Sequence, residues 1–323
     1  MGPNAKGALL SLTAFGIYAT HDVVIKTLGA IYAPPQIIFF SVILSFPLAI
    51  FAIMRDSEPG TLIPVHPRWM AARTVSVVLN ALAGFYAFSV LPLAQTYTIL
   101  FAMPLLITLL AIPMLGEKVR LRRGLAVLAG LIGVLVVLRP GSAHLGLGHL
   151  AALGAATCGA FSSVVVRKIG PDERPVTIMI YPMIANFVVM GCALPFVYHP
   201  MPIEHIGMAG IIAAFSWTAG LIMIAAYRHG EAVIVAPMQY SQILWATVYG
   251  ALLFNEGVDR ATALGAAIII ASGLYIVLRE GRSDASANRP VLEARVRAGT
   301  GTSAIVSLWQ RMSERRARTH AQD

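Results

Sequence analysis

The stretch GALLSLTAFGIYATHDVVIKTLG at residues 7–29 returns, without a gap, as GHLAALGAATCGAFSSVVVRKIG at residues 148–170. The two stretches are identical at eight positions, among them both terminal glycines and a Val-Val pair, and Lys26 of the first faces Arg167 of the second. Self-similarity over such a length indicates an internal repeat. We therefore predict that the chain consists of two related halves.

The register of the repeat continues beyond this stretch. Residues 115–117, Leu-Gly-Glu, are matched by residues 254–256, Phe-Asn-Glu, and residues 133–139 are matched by residues 273–279. Each half then holds five apolar segments. Because five is an odd number, the second half would enter the membrane from the opposite side. Inverted repeats of this kind are typical of secondary transporters, which expose a midplane site alternately to each side.

The composition requires a lipid environment for most of the chain. Hydrophobic residues make up 57% of the sequence and charged residues 12%, whereas soluble domains carry about 25% charged residues. Apolar runs of the roughly 20 residues needed to cross a bilayer recur almost end to end. We predict an all-α integral membrane protein with ten transmembrane helices, arranged as two inverted five-helix repeats. The predicted spans are 7–28, 35–54, 70–91, 93–115, 121–138, 147–166, 176–197, 207–227, 231–253 and 261–278.

The repeat and the spans divide the chain into three parts. The first repeat covers residues 7–140, the second covers 147–279, and a polar, basic tail that we place in the cytoplasm covers 281–323. The end of the tail alternates apolar residues with arginines. This pattern favours either a short basic amphipathic helix on anionic headgroups or plain disorder.

The formal charge of +9 is explained by membrane topology before any nucleic-acid partner is invoked. With a cytoplasmic N-terminus and ten spans, the outer loops receive Lys26, Arg139 and Arg260. The inner side receives, besides the tail, Lys6, Arg55, Arg68, Arg73, Lys118, Arg120, Arg122, Arg123, Arg167, Lys168, Arg174 and Arg228. The asymmetry predicts a multi-pass protein of the cell inner membrane with both termini in the cytoplasm.

Two related turns point to a known family. Gly116-Glu117-Lys118 opens a glycine-rich span that ends in the sequence VLRPG at 137–141, and Asn255-Glu256 repeats the turn in the second half. Together with the five-plus-five plan, these motifs resemble the EamA-type drug/metabolite transporter superfamily over residues 7 to about 280. Many members carry an arginine in the second span, where this chain reads QIIFFS at 36–41, so a role for that arginine is not inferred here.

Polar side chains inside spans are costly in lipid and usually face the protein interior or a water-filled path. The first span holds the sharpest such cluster, His21, Asp22 and Lys26. Asp22 and Lys26 stand four residues apart, which places them on one helical face as an ion pair. His21 has an unperturbed pKa of about 6.5, close to working pH, so His21 and Asp22 are the candidates for proton coupling. The alternative is that the carrier is a facilitator without proton coupling. Asp22 and Lys26 would then form a structural ion pair, and His21 would be an ordinary hydrogen-bonded residue.

Amide and aromatic side chains on spans 4 and 9 form the second cluster. Gln239 and Gln242 share a helical face at spacing i, i+3, with Trp245 one step further. Such a lining suits a neutral or zwitterionic, partly flat solute, whereas hydrogen bonding between helices is the structural alternative. The predicted substrate-binding residues are His21, Asn80, Tyr86, Gln95, Tyr97, Tyr181, Trp217, Gln239, Tyr240, Gln242 and Trp245. The family resemblance implies a central cavity formed by spans 1, 3, 4, 6, 8 and 9, which adds weight to His21, Asn80, Tyr97, Trp217 and Tyr240.

Two glutamates, Glu117 and Glu256, follow spans 4 and 9. The pattern favours capping and dipole interaction at the start of the next helix over an ion-binding or catalytic role. The sequence holds no GxxxxGK[ST] loop for ATP and no HExxH pair for zinc. We therefore predict no enzyme activity, no catalytic residue, no metal and no cofactor.

The predicted function is secondary transport of a small neutral or zwitterionic organic metabolite by alternating access. Within the superfamily, the segments 21–26 and 34–40 look most like bacterial uptake carriers for vitamins, riboflavin among them. The alternatives are export of amino acids or other metabolites, uptake of an S-adenosylmethionine-like cofactor, and a polytopic membrane enzyme. The predicted partners are a small-molecule substrate and the lipid bilayer, without nucleic acid. The oligomeric state is not predicted, and a homodimer is one alternative.

Overall fold

The structure is a computed structural model that describes residues 3–54, 62–116, 121–139, 146–230 and 232–280. Every regular element in these ranges is helical. The elements are α1 (Pro3–Gly29), α2 (Pro34–Met54), α3 (Pro67–Val90), α4 (Leu93–Leu100), α5 (Met103–Leu115), α6 (Leu121–Leu138), α7 (Leu147–Ile169), α8 (Pro175–Val197), α9 (Ile203–His229), α10 (Ala232–Val235), a 3-10 turn (Ala236–Tyr240), α11 (Ser241–Phe254) and α12 (Arg260–Glu280). Glu117 and the tail at 281–323 lie outside the described residues.

Seven helical stretches are long and apolar enough to cross a membrane. Two shorter apolar helices, Gly124–Leu138 and Arg260–Ile276, coincide with two further predicted spans. The remaining predicted span, 231–253, is divided among α10, the 3-10 turn and α11. The prediction of an all-helical, multi-pass membrane protein is therefore confirmed over the described ranges. The count of ten and the inverted arrangement stay predictions.

Proline and left-handed residues set several helix ends. Pro34, Pro67 and Pro175 begin α2, α3 and α8, where the missing N–H costs no helical hydrogen bond. Gly116 ends α5 and Asn255 ends α11, with φ of 71° and 56°. Glycine adopts this left-handed conformation freely, and asparagine is the next most common residue there. The two turns that correspond in the sequence repeat thus both have left-handed backbone.

The helical stretches at 93–115 and 232–254 are interrupted within the protein. α4 ends at Leu100 and α5 begins at Met103, next to Pro104, because a proline further inside a helix would remove a backbone hydrogen bond. Pro237 lies in the 3-10 turn between α10 and α11. Interrupted helices occur at membrane depth where protein surrounds them. Each interruption carries a buried aromatic side chain, Phe101 at the first and Tyr240 at the second.

The main helix pairs join the first half of the chain to the second. α1 lies along α9, α3 along α7, α2 along α8, and α6 along α12. Glycines permit the closest contacts: Gly7 meets Gly230 at the end of α9, and Gly133 meets Gly265 of α12. Small residues allow membrane helices to approach until their backbones touch. The largest buried cluster accordingly takes its side chains from both halves.

A methyl group at position 265 would overlap the Val137 side chain and lie 2.6 Å from the carbonyl oxygen of Gly133. We expect Gly265→Ala to separate α6 from α12 and to lower the free energy of unfolding by about 1–3 kcal/mol, the usual cost of overpacking. Thermal unfolding of the detergent-purified protein measures the change. Gly207→Ala is the matched control, because a Cβ there meets no atom within 4 Å. Equal melting temperatures for the two variants would contradict this close approach.

Candidate functional site

A buried carboxylate lies at the centre of the first group of polar side chains. Asp22 Oδ1 is 2.6 Å from His21 Nδ1, and the Tyr97 hydroxyl donates a hydrogen bond to Asp22 Oδ2. Gln242 Nε2 donates to the Tyr97 hydroxyl at 3.5 Å. The side chains of His21 and Asp22 are each 2% exposed. A buried carboxylate is costly unless donors surround it, and the structure brings these four predicted residues together around it.

Aromatic rings extend this group from α3 to the 3-10 turn. The Tyr97 ring centroid is 5.4 Å from that of Phe88 and 6.1 Å from that of Phe101, and Phe101 is 5.2 Å from Tyr240. Aromatic pairs at such distances are favourable beyond the area they bury. Tyr240 reaches α12 at Gly273, where a Cβ would overlap its phenol ring. The carboxylate–aromatic cluster is defined as His21, Asp22, Phe88, Tyr97, Phe101, Tyr240 and Gln242.

A second group of buried polar side chains lies midway along three helices. Asn80 of α3, Asn186 of α8 and Ser216 of α9 are all buried. We call them the mid-span polar layer because each stands near the middle of its own helix. Asn186 Nδ2 donates to the carbonyl oxygen of Pro182 at 3.0 Å. Asn186 Oδ1 and Ser216 Oγ have no hydrogen-bond partner among the described residues. Buried polar atoms without a partner are rare and call for an explanation such as water or a ligand.

Several predicted residues lie apart from these two groups. Gln95 Nε2 is 2.9 Å from His149 Nε2, near the start of α4 and α7. Trp217 packs against a separate buried cluster that includes Ile178 and Met179. Tyr181 is 36% exposed on α8. The remaining two, Tyr86 and Gln239, are partly buried.

Trp245 lies at the contact between α11 and α1. Its ring stacks on Tyr249 with centroids 6.0 Å apart, and a Cβ at Gly16 would lie 3.4 Å from the indole. The sequence placed Trp245 on one face with Gln239 and Gln242 by assuming a continuous α-helix. The 3-10 turn ends at Tyr240, so the α-helical spacing assumed for Gln239 does not hold across it. Gln242 and Trp245 both lie in α11. Gln242 reaches the carboxylate–aromatic cluster, whereas the Trp245 indole packs against α1 at Gly16.

Arg73 is a buried cation. From the sequence, it was counted only among the positive charges of the cytoplasmic side. It lies in the second turn of α3 and is 3% exposed. Its Nη1 donates to the carbonyl oxygen of Ile178 at 2.6 Å. That carbonyl has no helical partner, because the residue four positions later is Pro182, which has no N–H. A proline inside a span indicates that the carbonyl four residues earlier has no helical hydrogen bond. The residue that donates to this carbonyl depends on the tertiary fold.

At the ends of α1 and α11, Lys26 and Glu256 form a partly buried ion pair. Lys26 Nζ is 2.6 Å from Glu256 Oε1 and donates to the Leu91 carbonyl oxygen, also at 2.6 Å. Glu256 Oε2 accepts the N–H of Leu93, the first residue of α4, at 2.9 Å. Lys26 is thus paired with Glu256 and not, as predicted, with Asp22. Glu256 satisfies the start of α4 and not that of the following helix, because the α3–α4 turn lies closer to its carboxylate.

The chemistry available in this arrangement is binding and proton transfer. Asp22 and His21 are adjacent groups that can exchange a proton, and amides and aromatic rings beside them can hold a flat polar solute. Within the described residues, no group of three or more His, Cys, Asp or Glu side chains could hold a metal ion.

Comparisons with known proteins give a consistent picture. The family model described as "EamA-like transporter family" matches residues 5–139 and again residues 146–278. A solved crystal structure aligns with a TM-score of 0.58 at 18% identity, covering 87% of this chain and 100% of the other. This likeness shows a shared fold.

Curated relatives match over most of their length. The S-adenosylmethionine uptake transporter of Rickettsia prowazekii is 24% identical, covering 86% of this chain and 93% of that protein. The riboflavin transporter of Brucella anthropi is 24% identical, with coverages of 83% and 97%. The pseudopaline exporter of Pseudomonas aeruginosa is 23% identical, with coverages of 82% and 93%.

Glu256→Gln removes the charge that neutralises Lys26 and keeps the size of the side chain. We expect the free energy of unfolding to fall by about 3 kcal/mol, the lower end of the cost of removing one partner of a buried pair. The double variant Lys26→Met/Glu256→Gln should recover part of this loss, because it leaves no unpaired charge. Reversible unfolding in mixed micelles measures the single and double variants, and strictly additive losses would show that the two side chains do not interact.

Proposed function

Because this chain belongs to the EamA-like transporter family, we propose that it carries a small neutral or zwitterionic metabolite across a bacterial inner membrane by alternating access. The relatives are transporters of small metabolites at 23–24% identity, which supports transport but not one substrate. The observation that carries the proposal is the mid-span polar layer with its unpartnered buried atoms. Secondary carriers hold their substrate at this depth, near the bilayer midplane.

The helix contacts support two inverted five-helix repeats, 7–140 and 147–279. If α1, α2, α3 and α6 correspond to α7, α8, α9 and α12, the contact of α1 with α9 is equivalent to that of α7 with α3. The contacts of α2 with α8 and of α6 with α12 then pair equivalent helices across a pseudo-two-fold axis. All four contacts occur. Such an arrangement suits alternating access, in which one repeat rocks against the other around a fixed site.

The charges support a cytoplasmic location for both termini. Two of the cations that this topology places outside are held in ion pairs, Lys26 with Glu256 and Arg139 with Asp259. The charges of these two outer cations are neutralised by carboxylates. The larger number of basic residues lies on the side assigned to the cytoplasm, in agreement with the positive-inside rule.

The carboxylate–aromatic cluster and the mid-span polar layer would form the substrate site. Of the predicted residues, His21, Asn80, Tyr97, Tyr240 and Gln242 belong to these groups. Aromatic rings and amides suit a flat, polar solute, so riboflavin or a related vitamin is the first candidate. Uptake of an S-adenosylmethionine-like cofactor is the second candidate, because the carboxylate of Asp22 and the nearby aromatic faces would also attract a cationic group.

His21 and Asp22 are the proposed proton-coupling residues. The carboxylate of Asp22 touches both His21 and Tyr97, and Tyr97 in turn accepts from Gln242. Protonation of Asp22 would replace an acceptor by a donor and so change the hydrogen bonds that join α1, α4 and α11. A facilitator would need no such titration, and a comparison of transport with and without a pH gradient separates the two mechanisms.

A thermal-shift screen of the purified protein against riboflavin, S-adenosylmethionine, amino acids and nucleosides tests the proposed function. We expect at least one of these metabolites to raise the melting temperature with increasing concentration and to enter proteoliposomes. Gln242→Ala should weaken binding of that metabolite by about tenfold, equivalent to about 1.4 kcal/mol or one hydrogen bond. Leu244→Ala, on the exposed face of the same helix, is the control. Stabilisation by none of the metabolites, or hydrolysis of any, would contradict transport.

Uptake into proteoliposomes with and without a pH gradient tests the proton-coupling residues. We expect the gradient to stimulate the wild-type protein and to have no effect on Asp22→Asn, which cannot titrate. His21→Gln should change the pH dependence of uptake, because a titratable imidazole is removed. Thr27→Ala, whose hydroxyl bonds only within α1, is the control. If both site variants kept the wild-type response, His21 and Asp22 would be structural.

A further inference from the structure

Arg73 is a cation in the helix bundle that has no carboxylate partner among the described residues. It is 3% exposed, and its Nη1 bonds to the neutral carbonyl of Ile178. Its Nε is buried and has no hydrogen-bond partner in the described part of the chain. A buried charge without a counter-charge is strongly destabilising, and inside a membrane span it usually marks a functional site.

The anchor on Ile178 fixes which part of the guanidinium stays available. Nη1 is held by the carbonyl that Pro182 leaves open. Nε and the second terminal nitrogen form the opposite edge of the planar group, with two parallel N–H donors. This geometry matches the two oxygens of a carboxylate. With Nη1 held by Ile178 and Nε without a partner among the described residues, this edge of Arg73 would suit one bidentate anion.

Arg73 also lies on the interior face that leads to the mid-span polar layer. Arg73 and Asn80 are both buried and stand two helical turns apart, about 10 Å along α3. On α8, Ile178 and Asn186 stand eight residues apart, about 12 Å along the axis. Arg73 thus contacts α8 at Ile178, whereas Asn80, two turns later on α3, lies near Gly159 of α7. The proposed topology places the starts of α3 and α8, and so Arg73, in the cytoplasmic half.

We propose that Arg73 binds the carboxylate of the transported metabolite in the cytoplasmic half of its path. The inference rests on the proposed transport function and deepens it, because it selects a zwitterionic substrate with a carboxylate over a neutral one. It favours amino acids and S-adenosylmethionine-like compounds over riboflavin, which has no carboxylate.

Two pairs of probes that differ by one carboxylate test this assignment. They are tryptophan with tryptamine, and S-adenosylmethionine with its decarboxylated analogue. Binding to the full-length purified protein is measured for the wild type, Arg73→Gln, Arg73→Lys and Arg68→Gln. Arg68 is exposed on the first turn of the same helix and controls for loss of one positive charge.

We expect the wild type to bind the carboxylate-bearing member of at least one pair tenfold or more tightly than its partner. Arg73→Gln should abolish this preference, Arg73→Lys should retain part of it, and Arg68→Gln should leave it unchanged. The ratio within a pair is informative because a structural role of Arg73 would lower stability without changing the ratio. If Arg73→Gln does not fold, the reduced ratio in Arg73→Lys carries the test.

Four results would overturn the assignment. One result is that the wild type does not discriminate within either pair, and another is that it binds riboflavin and neither pair. Either result would show that Arg73 forms no carboxylate site, whereas the proposed transport function would be unaffected. A preference that survives in Arg73→Gln leads to the same conclusion, with or without a lower melting temperature. If the wild type binds none of these probes and none of the screened metabolites, the proposed function fails and the assignment fails with it.

Discussion

A polar group inside the hydrocarbon layer of a membrane finds no water, so its hydrogen-bond partner must come from the protein. This constraint links the interruptions of the helices to the positions of the polar side chains. Pro182 leaves the carbonyl of Ile178 without a helical hydrogen bond, and the Arg73 guanidinium donates one to it. The turn before α4 leaves the N–H of Leu93 without a helical partner, and the carboxylate of Glu256 accepts it. At these two irregularities of the backbone, the open hydrogen-bonding group determines where a charged side chain lies.

The same constraint explains why the halves interlock. Lipid is as apolar as leucine, so burial of apolar surface gives membrane helices little reason to associate, and close contacts and polar bonds must hold them together. Glycines bring α6 against α12 and α1 against α9. Polar bonds then cross between the halves, as from Arg73 to Ile178 and from Lys26 to Glu256. In the proposed alternating-access mechanism, contacts of this kind would be exchanged when one half moves against the other.

The helical fold and the family could be predicted from the sequence because hydropathy and the repeat are properties of the chain itself. His21 and Asp22 were predicted in one group and Tyr97 and Gln242 in another, and the tertiary fold brings the four side chains together. Partners across the bundle were not accessible. Lys26 pairs with Glu256 and Arg73 bonds to Ile178, and only the tertiary fold brings such distant residues together. The same holds for Trp245, whose indole stacks on Tyr249 and packs against Gly16 of α1.

The two charges nearest the proposed path differ from those at the helix ends in the partners they keep. Lys26 and Glu256 neutralise each other. Asp22 is held by a tyrosine hydroxyl and an imidazole, and Arg73 by a backbone carbonyl. They also lie at different depths: the contact of Gly29 with Ser89 places Asp22 beside the later turns of α3, whereas Arg73 lies in its second turn. Had Asp22 and Arg73 paired, a substrate would first have to break a buried ion pair, at a cost of several kcal/mol. The backbone carbonyl of Ile178 orients the Arg73 guanidinium without neutralising it, so Arg73 keeps its charge for a ligand that brings its own carboxylate.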